Sequence, residues 1–289
     1  MEKMTSFPPT LKEVKETDAT GKVAEIYHDL RHALGVPMVN LIFRHMATIP
    51  GCLEWTWSQL GPLYISGKIG RESRKLTDVL PQDFKAVIST TDLSVAGLDC
   101  DTISVITATL DAYNHANPMN VIGMKLLRRF VSDASQDIST CRLIEKSPPR
   151  PEPRELTYLP PMASLDSLDK AIIALLRKMA VQVNDRDGLI IPSLLLHFTQ
   201  WPGFLKLFSA LVEELRLDGR LENESAKIEG KSTKIANQLY RECPDSDRGP
   251  PSRKTLLILE DLTSTFPSNI CRMIVAATYV RRALPSNDS

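Results

Sequence analysis

Residues 190–203 read IIPSLLLHFTQWPG, and residues 36–51 read VPMVNLIFRHMATIPG. Each stretch runs Pro, apolar helix, His, then Pro-Gly. The two Pro-Gly steps are 152 positions apart (202 − 50), just over half of the 289 residues. A chain that repeats an ordered set of elements at that interval reads as one helical unit used twice. The expected organisation is a first helical repeat over 1–144, a Pro-rich linker over 145–161 and a second repeat over 162–289. The two repeats would pair as a pseudo-dimer around a central cavity.

Working outward, Asp18-Ala19-Thr20 offers cap residues before Val23, Ile26, Tyr27, Leu30 and Leu34, which share one helical face. Gly35 stops that helix, and Pro37 opens the next, which is apolar on most sides up to Thr48. After Pro50-Gly51, a helix carries Leu53, Trp57 and Leu60 on one face, with Gly61-Pro62 as a bend. Residues 76–88 read as a helix weakened at Pro81. Asp99 caps a helix over 103–113. That helix is expected to end in Asn114-His115-Ala116-Asn117-Pro118, because a residue before Pro is pushed out of the helical region. Residues 121–131 are helical again.

Six Pro between Glu145 and Pro161 mark a stiff linker. The pattern then restarts. Tyr158-Leu159-Pro160-Pro161 echoes Phe7-Pro8-Pro9, and Asp166-Ser167 caps a helix with Ile172, Leu175, Leu176 and Met179 inside. Gly188 stops it and Pro192 opens the second copy of the central helix. Helices over 204–217, 231–241, 256–262 and 270–282 follow, with a loop over 243–253. No run of alternating β-branched residues appears, so the expected class is all-α.

Composition narrows the function. Hydrophobic content of 43% and charged content of 24% are ordinary for a globular protein. Lys+Arg and Asp+Glu both number 35, so there is no basic excess to hold a phosphate backbone. Nucleic acid is not an expected partner. No apolar run reaches the ~20 residues that cross a bilayer, and the N-terminus lacks the apolar core of a signal peptide. Five scattered Cys without a CxxC fit reduced thiols, which makes the cytoplasm the expected location. The expected partner is a small-molecule substrate, with the chain a monomer or a homodimer.

The common nucleotide, nucleophile and zinc motifs are absent. His28 and His32, at i and i+4, lack evident third and fourth ligands, so no metal site is expected. His45 and His197 hold equivalent places in the two central helices. They read either as a pair facing a shared cavity or as core histidines bonded to backbone. Tyr113, Asn114, His115 and Asn117 form a polar cluster without a counterpart in the second half, where residues 279–285 read YVRRALP. Asparagine both donates and accepts, so such a cluster could hold a carbonyl or carboxylate, or could simply cap a helix.

The run 18–60 with Val36-Pro37, Ala47-Thr48 and Pro50-Gly51 resembles the group I 2-haloacid dehalogenases. Residues 113–118, Trp201-Pro202, and Tyr279 with Arg281 add to the resemblance, which spans about residues 7–285. It implies an all-α pseudo-dimer with the active site between the halves, hydrolysing 2-haloacids of both hands without a cofactor. In that family an Asp activates a water that displaces the halide, and an Asn before Pro assists. By position the Asn is Asn117, a family Tyr falls on Tyr279 and a family Ser on Ser193. The family Asp falls on Leu194, and a family aromatic falls on Met38. Asp185 and Asp187 are the nearest acids.

A leucine cannot act as a base. The expected function is therefore a cofactor-independent cyclase or isomerase, such as a Diels–Alderase of specialised metabolism. Asn117 and Tyr279 would be its catalytic residues, with Met38, Leu41, His45, Tyr113, Ser193, Leu194 and His197 around the substrate. Hydrolysis by a relocated carboxylate and non-catalytic binding of a hydrophobic ligand stand as the alternatives.

Overall fold

The computed structural model describes residues 11–82, 87–136, 158–184, 190–242 and 249–285. In chain order the helices are α1 (Gly21–Leu34), α2 (Leu41–Met46), α3 (Cys52–Ile65), α4 (Lys68–Ser73), α5 (Thr90–Val95) and α6 (Cys100–Ser135). Then follow α7 (Lys170–Val183), α8 (Ser193–His197), α9 (Pro202–Leu217), α10 (Arg220–Arg241) and α11 (Arg253–Ala283). The described residues contain no strand, so the protein is all-α.

Local chemistry accounts for many of these boundaries. Ile26, Tyr27, Leu30 and Leu34 are buried along one side of α1, and burying each large apolar side chain contributes about 1.5–3 kcal/mol. Gly35 ends α1 in the left-handed conformation (φ 68°), its N–H bonded to the Arg31 carbonyl. On α7 the buried face centres on Ile173, Leu176 and Met179, with Ile172 and Leu175 at its margin.

The two long helices α6 and α11 differ most from the expectation. Each was expected as two shorter helices, yet each runs unbroken through an internal proline, Pro118 in α6 and Pro267 in α11. Inside a helix, proline forfeits one hydrogen bond and crowds the carbonyl four residues back, at a cost of ~3 kcal/mol. Packing offsets that cost. Leu110, Val121, Ile122 and Leu126 of α6 and Leu259, Ile274, Val275 and Val280 of α11 are buried on both sides of each proline. α6 and α11 lie against each other more extensively than any other helix pair, and one continuous core joins helices from both parts of the chain.

Other corrections have equally local causes. The central helix α2 starts at Leu41 because the Val39 N–H donates to Glu16 Oε1 at 2.8 Å, holding the preceding residues extended. The helix expected over 76–88 is only a 3-10 turn at Thr77–Val79. Ile88 instead donates its N–H to the Ala283 carbonyl at the end of α11 (2.8 Å). Helix α5, not anticipated, begins with a capping box between Ser89 and Asp92. Helix α10 starts eleven residues earlier than expected (231 − 220), directly after Gly219 at φ 78°.

The two Pro-Gly steps need glycine for different reasons. Gly51 sits at φ 71°, a left-handed turn ahead of α3. Gly203 is helical, within α9, but a Cβ there would lie 2.1 Å from the Ala96 carbonyl oxygen, so the step lets α9 meet the end of α5. Phe7-Pro8-Pro9, most of the linker, Asp185, Asp187 and Gly188 lie outside the described residues.

Candidate active-site cavity

The face of α6 that carries Tyr113, Asn117 and Asn120 (i, i+4, i+7) meets the face of α11 that carries Phe266, Ile270 and Met273 with the same spacing. Between them is a cavity of about 90 Å³. The starts of the short helices close it: Asn40, Leu41 and Ile42 at α2, and Pro192, Ser193 and Leu194 at α8. These two triplets are again 152 positions apart (192 − 40). Asn184 and Ile190 complete one edge, and Asn269 stands two residues after Pro267 as Asn120 stands two after Pro118.

The expected catalytic residue Asn117 lines this cavity, and so do Leu41, Tyr113, Ser193 and Leu194 of the residues expected around a substrate. Met38 does not; it is buried in the core. His45 and His197 do not line it either. His45 Nδ1–H donates to the Lys12 carbonyl (2.7 Å) and His197 Nδ1–H to the Pro160 carbonyl (2.5 Å), so each ring ties an incoming segment to a central helix. Burial pushes the His197 imidazole down to about 4, which keeps it neutral, and its ring meets Tyr113 edge-on at 5.7 Å. The His28 and His32 rings lie 4.1 Å apart on α1, tilted by 35°, and no three metal-ligating side chains come together among the described residues.

Tyr279 is also absent from the cavity wall. Six residues beyond Met273 on a 3.6-residue helix, it points about 120° away from the lining face. It is buried, with the Arg220 guanidinium 5.9 Å over its ring. Sequence reasoning passed over Asn40, Asn120, Asn184 and Asn269. The signal available for Asn120 was its place one turn beyond Asn117. Breaking the helix at Pro118 hid that spacing.

The wall is neutral. No Asp, Glu, His, Lys or Arg lines the cavity among the described residues, and its polar side chains there are five Asn, Tyr113 and Ser193. Burial raises the Tyr113 phenol well above its ordinary value, so it stays protonated. A buried cation lies one side chain further back. Arg44 on α2 is 4% exposed; its Nε is 2.7 Å from Glu13 Oε2, and its Nη2 donates to Ser193 Oγ at 3.4 Å. Such a wall can donate and accept hydrogen bonds without carrying net charge.

Three solved structures share this arrangement of helices. A D-2-haloacid dehalogenase mutant in complex with D-2-CPA superposes with a TM-score of 0.77 at 17% identity, covering 96% of this chain and 98% of that one. A second structure of a D-2-haloacid dehalogenase mutant gives 0.74 at 17% identity (96% and 97%), and the enzyme with L-LA gives 0.74 at 17% identity (96% and 98%). The chain has the fold of D-2-haloacid dehalogenase. No protein-family model and no curated protein matches it. Within this dehalogenase fold, Leu194 is 1% exposed and faces the cavity at the position where the resemblance expects an aspartate.

Proposed function

We propose that the chain is a cofactor-independent enzyme that binds a small carbonyl- or carboxyl-bearing molecule in the cavity between α6 and α11 and rearranges or cyclises it. The observation that carries this reading is the wall itself, which is mainly apolar and whose polar residues are five Asn, the protonated Tyr113 and Ser193, with no carboxylate among the described lining residues. Neutral donors held in a buried site stabilise charge that gathers on a carbonyl oxygen as bonds shift, and need no reorganisation to do so. Asn117 is the foremost donor. Tyr113 takes the role that Tyr279 was expected to fill, because Tyr113 lines the cavity and Tyr279 does not.

Cavity size favours a small substrate. An apolar cavity of about 150 Å³ accommodates benzene, and this one measures about 90 Å³. A long chain folding for a pericyclic reaction would have to extend through the mouth. Asn117→Ala and Tyr113→Phe test the reading on small unsaturated carbonyl compounds followed by proton NMR. Turnover should fall by roughly two orders of magnitude for Asn117→Ala, as when one oxyanion donor is lost, with a smaller loss in binding. Binding without turnover by the folded wild type would leave a binding protein.

A second reading is favoured by the solved neighbours, which are haloacid dehalogenases, and by the small cavity. Asp185 or Asp187, the acids nearest in sequence, would then serve as the hydrolytic base. Chloride release from either enantiomer of 2-chloropropionate, lost in Asp185→Asn or Asp187→Asn, would establish it. No release from folded protein, beside an active dehalogenase as control, would remove it.

A further inference from the structure

We propose that the cavity takes a compact ketone or aldehyde with a hydrocarbon body, anchored by Asn117, and discriminates against a second polar group on the ligand. This rests on the reading of the cavity as a small-molecule site and names its substrate class. Leu41, Ile42, Leu194, Phe266, Ile270 and Met273 make most of the wall apolar. Ile42, Leu194 and Met273 are 3%, 1% and 6% exposed, so the wall they form is enclosed.

Several polar groups on the wall are already committed. Ser193 Oγ accepts from Arg44 Nη2 at 3.4 Å, Asn184 Nδ2 donates to the Ile190 carbonyl at 2.7 Å, and Asn269 also has a partner. The Asn40 and Asn120 side-chain oxygens are closed off from solvent and out of a guest's reach. Asn117 is different. It lines the cavity at 8% exposed, its amide makes no hydrogen bond among the described residues, and neither amide atom is closed off as those two oxygens are. A ligand carbonyl therefore accepts from Asn117 Nδ2 while its carbon body lies against the apolar side chains. A further hydroxyl would leave water to meet hydrocarbon, and burying it unpaired is unfavourable. The space of about 90 Å³ is smaller than the ~150 Å³ that holds benzene, so a body of about four carbons suits it.

2-Butanone and hydroxyacetone share a size and a carbonyl; a terminal methyl in one is a hydroxyl in the other. Each is titrated into the whole chain with labelled Ile, Leu and Met methyls, and NMR shifts are read at Ile42 and Leu194. Butanone should bind at least roughly tenfold more tightly, the cost of one unpaired buried hydroxyl. Asn117→Leu should weaken butanone by roughly three- to tenfold, the worth of one neutral hydrogen bond. Met273→Gln, nearly equal in length, gives the hydroxyl a partner and should narrow the preference; either variant serves if the other does not fold. Equal affinities in the wild type, a preference for hydroxyacetone, or unchanged butanone binding by folded Asn117→Leu would overturn the proposal and leave the small-molecule site standing. No shift at these methyls with either compound, at any concentration the folded protein tolerates, would overturn both.

Discussion

The Arg44 guanidinium on α2 donates to the Ser193 hydroxyl on α8 across 149 positions of sequence. This contact joins the two short helices that close the cavity, and the Glu13 carboxylate stands on the other side of the arginine. Removing one member of a buried ion pair strands its partner. Arg44→Ala should therefore cost about 3–5 kcal/mol, eased by the partial exposure of Glu13, whereas Ser193→Ala should cost about 1 kcal/mol. Urea denaturation of the two variants measures the difference, and equal costs would show that the arginine is not anchored by this pair.

His197 ties acid stability to the same region. Its pKa is pushed down to about 4 by burial, against about 6.5 in the unfolded chain, so the unfolded state takes up the proton first. The folded state is then penalised progressively as pH falls from about 6.5 towards 4, by roughly 3 kcal/mol at the lower limit. Thermal midpoints of the wild type should drop more steeply over that window than those of His197→Gln. Parallel curves would mean that this imidazole does not control the transition.

The two glycines of the Pro-Gly steps should respond differently to a methyl group. Gly203→Ala drives a Cβ into the Ala96 carbonyl and should cost about 1–3 kcal/mol or more by overpacking. Gly51→Ala meets nothing within 4 Å and strains only its left-handed backbone, at about 1–2 kcal/mol. Urea midpoints of the pair give the ranking, and a larger loss at Gly51 would contradict the close approach of α9 to α5.

Thiol reactivity offers a probe of local opening. Burial pushes the Cys52 and Cys271 thiols up to about 12, while Cys100 is exposed at the start of α6. A maleimide should label Cys100 quickly and reach Cys52 and Cys271 only on unfolding. Peptide mapping after timed labelling reads this out, and early modification of Cys271 would show α11 opening in the native state.

Much of the fold was legible because helix formation is a local affair. Val23 to Leu34, capped by Gly35, carried its own periodicity and its own stop. The repeated order of proline, apolar residues, histidine and Pro-Gly marked where α2 and α8 lie. Leu41, Tyr113, Asn117, Ser193 and Leu194 could be singled out from that order and from the family resemblance. Tyr279 was misplaced with respect to the cavity because a match at one position carries no information about which side of a long helix it lies on.

The sequence by itself determined the all-α class, the amphipathic faces and the places of α2 and α8, since these depend on side chains a few residues apart. Only the tertiary structure decided that α6 and α11 continue through Pro118 and Pro267. The lost hydrogen bond is offset by packing between segments roughly 150 positions apart, which no local pattern records. That continuity keeps Tyr113, Asn117 and Asn120 in line on one face. The cavity is thus a product of packing between helices, although every residue on its wall was already present in the sequence.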